Sequence, residues 1–594
     1  MKNRLFAFLF IAMTAVSCDD DLLEKPPLDA LTDNTFWSSE ANVRTFSYGF
    51  YTAYFSGYGT SAAAQGTHWS GNNQVLSDDR APSAPVLFTL NPPASGGGWD
   101  FSWVRRSNIL IDRVANAPAL STDAKAHWGG VGRFFRGLEY HDLVRRFGDV
   151  PYYDYVPGDS DIASLYKARD SRTFVMDKVL EDFKFAAENV RTPAAEGTAG
   201  GTKGLTINKQ VVLAYMSRVF LFEGTWQKYH MNNPAKAKEY LEAAKWAADQ
   251  VMTTGGYSLG RYRETFTSFD LANNPEVILY RQYVDGIQMH ATMSYNNKEA
   301  QSGASKDMIN SYVTKNGLPI KQAGNTQYQG DKGIKNVMAN RDPRITETFV
   351  DSIRLLGMRY NNKAVYNYST SGYVSHKYLE ETTKTLPAGN GQVNVTDAPI
   401  IRYGEVLINY AEAAAELATV GGAALSQSDI DRSVNVLRNR PGIGVAPLQV
   451  SGDQALVAGT PIEDPDRDGS VSPILWEIRR ERRVELIFEG FRYDDLRRWK
   501  KLIYADTQVN GDINRGAWVS KDNPEYTLGT VRLAVGDNDA PSTTLREGYV
   551  VPSFNATGVR IFDNDKHYLA PLPLNQINLY KANGFVLTQN PGWE

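Results

Sequence analysis

Residues 480–499 read RERRVELIFEGFRYDDLRRW. Val484, Ile487, Phe488 and Phe491 recur at three- and four-residue intervals, the spacing of an apolar stripe on a helix. One helix is therefore expected over 476–492. On that helix Glu481, Glu485 and Glu489 fall at i, i+4 and i+8, so three carboxylates share a face. Three carboxylates can serve a metal or acid–base centre. They can equally be neutralised, Glu485 by Arg482 and Glu489 by Arg492, at helical spacing.

Working outward, helical periodicity returns at 400–417, where Tyr403, Leu407, Tyr410, Ala414 and Leu417 line one side. A further helix is expected at 429–440, ended by Pro441 and Gly442. Towards the N-terminus helices are expected over 28–54, 103–114, 125–147, 173–189, 208–223 and 234–253. The first of these has Asp33 and Asn34 as caps and Val43, Phe46, Phe50 and Tyr54 at helical spacing. Small and large residues alternate over 233–257 and 411–417, as where helix pairs of the tetratricopeptide kind approach closely. Between the helices, 56–98, 299–336 and 360–399 are rich in Gly, Asn, Ser or Thr and carry no helical period. A strand-like run, 277–280, lies nearby. The expected class is mainly α, with long irregular loops and a few short strands.

The chain's address is at its start. Lys2 and Arg4 precede an apolar run from Leu5 to Val16. Twelve helical residues rise about 18 Å, too short for a bilayer core of about 30 Å, so the run is a secretory leader. Ala15-Val16-Ser17-Cys18 resembles a lipobox, with cleavage after residue 17 and acylation of Cys18, the only cysteine. Several acyl chains on one residue anchor stably. Asp19, Asp20 and Asp21 open an acidic tether, 18–33.

Composition narrows function. Removing Lys2 and Arg4 with the leader leaves 61 basic against 67 acidic residues, net −6, which argues against a nucleic-acid partner. One cysteine excludes an internal disulfide and a Cys-based zinc site. HExxH does not occur.

An ordered set of segments is similar to the SusD/RagB family. After the Cys18 leader come 103–112 (WVRRSNILID), 136–153 (RGLEYHDLVRRFGDVPYY) and 340–345 (NRDPRI). Then follow 400–416 (IIRYGEVLINYAEAAAE), 480–499, 568–577 (YLAPLPLNQI) and 590–592 (NPG). The resemblance covers nearly all of 18–594. It implies four tetratricopeptide-like helix pairs in one domain, 34–594, with an N-terminal part of about 34–260 and a C-terminal RagB/SusD part of about 261–594. It also implies an outer-membrane, surface-exposed lipoprotein that binds glycans and covers a SusC-like TonB-dependent β-barrel as a lid. In the family the 480–499 segment is structural, which favours paired charges over a centre of chemistry.

Candidate ligand contacts follow from the chemistry of sugars, whose CH faces stack on rings and whose hydroxyls need polar partners. Trp69, Asp78, Arg80 and Trp99 offer that mix in the first long loop. Tyr283, His290, Tyr295 and Asn296 offer it after the strand-like run. Asp464, Asp466 and Asp468 followed by Gly469 match the opening of a calcium loop. A structural Ca2+ is the cation such a loop would take, but Leu475 stands where the bidentate Glu is expected. No catalytic residue and no required cofactor are assigned. The alternatives are a lid protein with peptide cargo, and a surface glycosidase with two carboxylates about 5–9.5 Å apart.

Overall fold

The computed structural model describes residues 36–60, 75–84, 87–297, 302–365, 367–536, 539–553 and 559–593. The leader, Cys18, the tether and Trp69 lie outside these residues.

The chain is mostly helical. Its main helices are α1 (Glu40–Tyr54), α2 (Ser102–Asn116), α3 (Thr122–Phe147), α4 (Arg172–Asn189), α5 (Lys209–Tyr229), α6 (Pro234–Thr254), α7 (Tyr403–Ala418), α8 (Pro473–Glu485), α9 (Arg492–Arg498) and α10 (Leu574–Ala582). Polar caps start several of them. Ser39, Ser121 and Ser171 each accept from a backbone N–H in the first turn, as do Asn208 and Asn233. Gly148, at φ 77°, terminates α3.

From α2 to α8 each helix packs on the next, and the short α9 packs on α5. Small residues set the spacing. A Cβ at Gly137 would sit 2.9 Å from the Phe183 ring, and one at Gly224 would sit 2.7 Å from Leu241. Ala237, Ala244, Ala247 and Ala248 bury the facing side of α6. These helices, taken in consecutive pairs, form the scaffold, and the largest apolar cluster runs through it.

A second apolar cluster lies under the loops, built from Tyr58, Tyr262, Phe266, Tyr283, Tyr312, Phe349, Tyr378 and Phe488 among others. Short antiparallel pairs tie the loops down. Strand β1 (Arg80–Pro82) pairs with β3 (Ser302–Ala304), and β2 (Val277–Arg281) pairs with β4 (Ala398–Arg402) across a bulge.

Four expected elements differ. The helix expected over 28–54 with Asp33 and Asn34 as caps begins, among the described residues, at Glu40 with Ser39 as its cap. Residues 400–402 belong to β4, and α7 starts only at Tyr403. The helix expected at 429–440 is two short ones, Gln427–Asp431 and Val434–Arg438, broken at Ser433. The helix expected over 476–492 ends at Glu485. Phe488 then adopts φ 63° and Gly490 φ 97°, and the chain turns into α9. The turn lets Phe488 enter the loop cluster, where its ring lies 5.8 Å from that of Phe349.

The turn also decides the fate of the three glutamates. Glu485 and Glu489 no longer share a helix face, yet both reach Arg402, Glu485 at 2.6 Å and Glu489 at 2.6 Å. Glu485 also pairs with Arg344 and Arg440, Glu489 with Lys377, and Glu481 with Arg344 and Arg438. The local pairs expected from spacing are replaced: Arg482 binds Asp495, and Arg492 binds Asp78. Burial pushes the Glu485 carboxyl up, but Arg440, Arg402 and Arg344 outweigh it and hold the pKa down at about 2. The segment is a buried ionic hub joining α7, α8 and β4.

Candidate functional site

The two predicted loop patches start from one place. After α1 the chain passes Phe55 and Ser56, whose carbonyls accept from Arg281 at 3.1 and 2.9 Å. Gly57, at φ 61°, lies against the Tyr283 hydroxyl, where a Cβ would come within 2.7 Å. That hydroxyl donates to the Tyr58 carbonyl, and the Ala291 N–H donates to the Gly59 carbonyl at 3.0 Å. Further along, β1 and β3 pair with Arg80 opposite Ala304. Ser305 adds two bonds, its N–H to the Asp79 carbonyl and its hydroxyl to the Asp78 carbonyl. Residues 56–60 thus join 281–291, and 78–82 join 302–305. The segments between these stems, 61–74 and 298–301, lie outside the described residues.

Four of the candidates are buried. Tyr283 and His290 are inside, their ring centroids 4.6 Å apart and packed with Tyr58. His290 Nε2 donates to the Thr396 carbonyl at 2.9 Å, while Nδ1 accepts from the Thr292 N–H. Burial pushes its pKa down to about 4, so the ring is neutral. Below it Asp397 accepts from the N–H groups of Tyr283 and Leu271, and burial pushes its carboxyl up to about 6. These groups hold the second loop's stem.

Asp78 and Arg80 are likewise buried. Asp78 is gripped by both arms of Arg492 at 2.7 Å, and Asp79 by Arg483 at 2.7 Å. Burial raises the Asp78 carboxyl, but Arg483 and Arg492 overcome this and bring it to about 2. The Arg80 guanidinium lies 4.0 Å above the Phe488 ring. Both residues fasten the first loop to the hub.

The remaining candidates divide. Trp99 is half-buried, 5.1 Å from Phe147, and packs on the helix array away from the loop junction. Tyr295 and Asn296 lie in a short helix, Thr292–Asn297, that continues directly from the His290 stem. The calcium-loop spacing is present, but its carboxylates are engaged elsewhere. Asp464 binds Arg480 and the Trp476 indole N–H, Asp466 binds Lys321, and Asp468 binds Lys501 and Tyr504. Among the described residues no three His, Cys, Asp or Glu side chains converge where a metal ion could sit. The carboxylates of Asp464, Asp466 and Asp468 therefore turn to three separate cations and not to one centre.

Two cavities were not foreseen. One, of about 430 Å³, adjoins the β1–β3 pair and is lined by Ser83, Ser369, Thr370, Leu356, Thr530 and Val551 among others. The other, of about 580 Å³, lies between the end of α5 and the 588–592 tail. In its lining Asn590 donates to the Phe147 and Ala570 carbonyls and accepts from Arg169. Neither could be read from sequence, because each is lined from segments hundreds of residues apart.

This architecture defines a helical-scaffold protein that displays paired loops. Among the described residues no helix is long and apolar enough to cross a membrane. The SusD family model matches residues 275–593, more than half of the chain, and the chain belongs to that family. A SusD-like protein, P38, from Formosa agariphila is 23% identical over 526 residues, covering 86% of this chain and 94% of that protein. A solved SusD-like carbohydrate binding protein from Bacteroides fragilis superposes with a TM-score of 0.63 at 20% identity, over 92% of this chain and 99% of the other. A laminarin binding SusD-like protein superposes with a TM-score of 0.52 at 15% identity, over 93% and 100%.

Proposed function

We propose that this chain is a lipoprotein of the outer-membrane surface, anchored through Cys18, that captures oligo- or polysaccharide. It hands the glycan, as a lid, to a SusC-like TonB-dependent β-barrel. The observation that carries this reading is the meeting of the two loop stems, in a family that includes relatives described as carbohydrate-binding. Paired loops on a buried, ion-locked base give a binding surface whose rim can vary while its base stays fixed.

Capture without cleavage fits the carboxylates. Asp78 is committed to Arg492 and Arg483, which outweigh burial and hold its carboxyl below the usual range. The cleft beside the junction has no carboxylate in its lining. Glu139, pushed up to about 8 by burial, lies inside the helix array against Tyr54 and lines neither cavity.

Affinity electrophoresis through gels of different polysaccharides, with chromatography of each incubated glycan, tests the proposal. Retardation by a glycan that stays intact is expected. Fragments would make the protein a glycosidase, and no retardation by any glycan would favour peptide cargo. Replacing Cys18 with Ala should release the protein from membranes; unchanged fractionation would remove the anchor.

A further inference from the structure

The cleft of about 430 Å³ beside β1 and β3 belongs to none of the predicted patches. It is contiguous with the loop junction through Thr370, whose hydroxyl accepts from the Gly303 N–H of β3 and donates to the Ala81 carbonyl of β1. Its volume lies in the range of about 300–1,000 Å³ usual for ligand pockets.

The lining has an unusual chemistry for a sugar site. Leu355, Leu356, Leu528, Val531 and Val551 give an aliphatic wall, and no aromatic ring takes part. Leu356 stands at the rim, 69% exposed. The polar groups are hydroxyls from Ser83, Ser369, Thr370, Thr530 and Thr543, with one guanidinium, Arg532. The Ser369 hydroxyl is buried in that wall and has no hydrogen-bond partner. No carboxylate or carboxamide side chain lines the space.

An unsubstituted sugar ring presents hydroxyls around its whole edge, and this lining offers their donors hydroxyl oxygens alone among its side chains, with no carboxylate or carboxamide. An acyl group presents a methyl and a single carbonyl acceptor. The methyl suits the aliphatic wall, and the carbonyl suits the hydroxyl donors of Ser83, Ser369, Thr530 and Thr543. We propose that this cleft takes the acyl substituent of a bound sugar, an N-acetyl or O-acetyl group, beside a glycan held by the loop junction. This inference rests on the glycan-capture reading and sharpens it to acyl-substituted glycans.

Saturation-transfer NMR with titration of the detergent-solubilised full chain tests it. The probes are the methyl glycoside of N-acetylglucosamine, methyl glucoside and N-acetyl-leucinamide. The acetyl methyl of the first should receive the strongest saturation, and its affinity should exceed that of methyl glucoside about tenfold or more. Thr530→Trp, which fills the cleft from its exposed rim, and Leu356→Asp should each abolish that difference while the thermal midpoint stays unchanged. Equal binding of the two glycosides, or an acetyl preference that survives both variants, overturns the proposal. Tighter binding of N-acetyl-leucinamide than of the acetylated sugar overturns it in favour of peptide. Polysaccharide retardation that persists in both variants leaves the capture reading standing, so the two claims fail separately.

Discussion

Replacing Arg402 with Met removes the centre of the ionic hub. All five of its N–H groups are used: Nε and Nη2 on Glu489, Nη1 on Glu276 and Glu485, and Nη2 also on the Glu485 carbonyl. Arg402 is 2% exposed, and Glu276 and Glu485 are fully buried. The substitution keeps the volume roughly constant but leaves buried carboxylates short of positive charge. Glu485 retains Arg344 and Arg440, whereas Glu489 retains only Lys377 among its cationic partners. Breaking a buried pair from one side costs about 3–5 kcal/mol, so that loss is expected in chemical denaturation followed by tryptophan fluorescence. Adding Glu489→Gln should return part of it, because the worst-served charge is then gone. A loss below about 1 kcal/mol for Arg402→Met, or no recovery in the double variant, would refute the view of the hub as a locked ionic core.

Trp69→Ala should weaken polysaccharide retardation without moving the thermal midpoint, whereas His290→Ala should lower the midpoint, since His290 is fully buried with both ring nitrogens engaged. Added calcium should leave the midpoint unchanged, because Asp464, Asp466 and Asp468 point to separate cations; a clear rise would restore the calcium loop. Glu139 has a folded pKa raised by burial to about 8, so its contribution is full below the ordinary value of 4.5 and is lost as pH rises towards 8. Melting at pH 5 and pH 8 should therefore show a smaller alkaline loss in Glu139→Gln than in the unaltered chain. Glu485 has the opposite sign: held at about 2, it stabilises above 4.5 and that share, about 3 kcal/mol, is lost as pH falls towards 2.

The helical scaffold was legible because its signals are local. Apolar residues at helical spacing marked α2 to α7, and Gly148 marked the end of α3. The break after Glu485 was partly legible, since Gly490 interrupts the run, but the apolar stripe through Phe488 and Phe491 concealed it. The stripe is real as burial and misleading as geometry, because Phe488 reaches the loop cluster from a left-handed turn.

The site was harder to read, for a physical reason. Polar and aromatic residues in Gly-rich loops serve equally to hold a loop's base or to form its rim. Asp78 is held by Arg492, 414 positions away, and Tyr283 by the Tyr58 carbonyl, 225 away. No spacing rule reaches such partners. The loops themselves were found; the division between stem and rim needed the fold. The cleft beside them gave no signal in sequence, because its hydroxyls and aliphatics come from six separate segments.

Hydrogen exchange of the full chain, with and without the polysaccharide that retards it, tests the central claim most directly. New protection is expected over 56–84 and 281–305, the loops that leave from the shared stems. Protection confined to the second cavity, around 564–569 and 588–592, would contradict it.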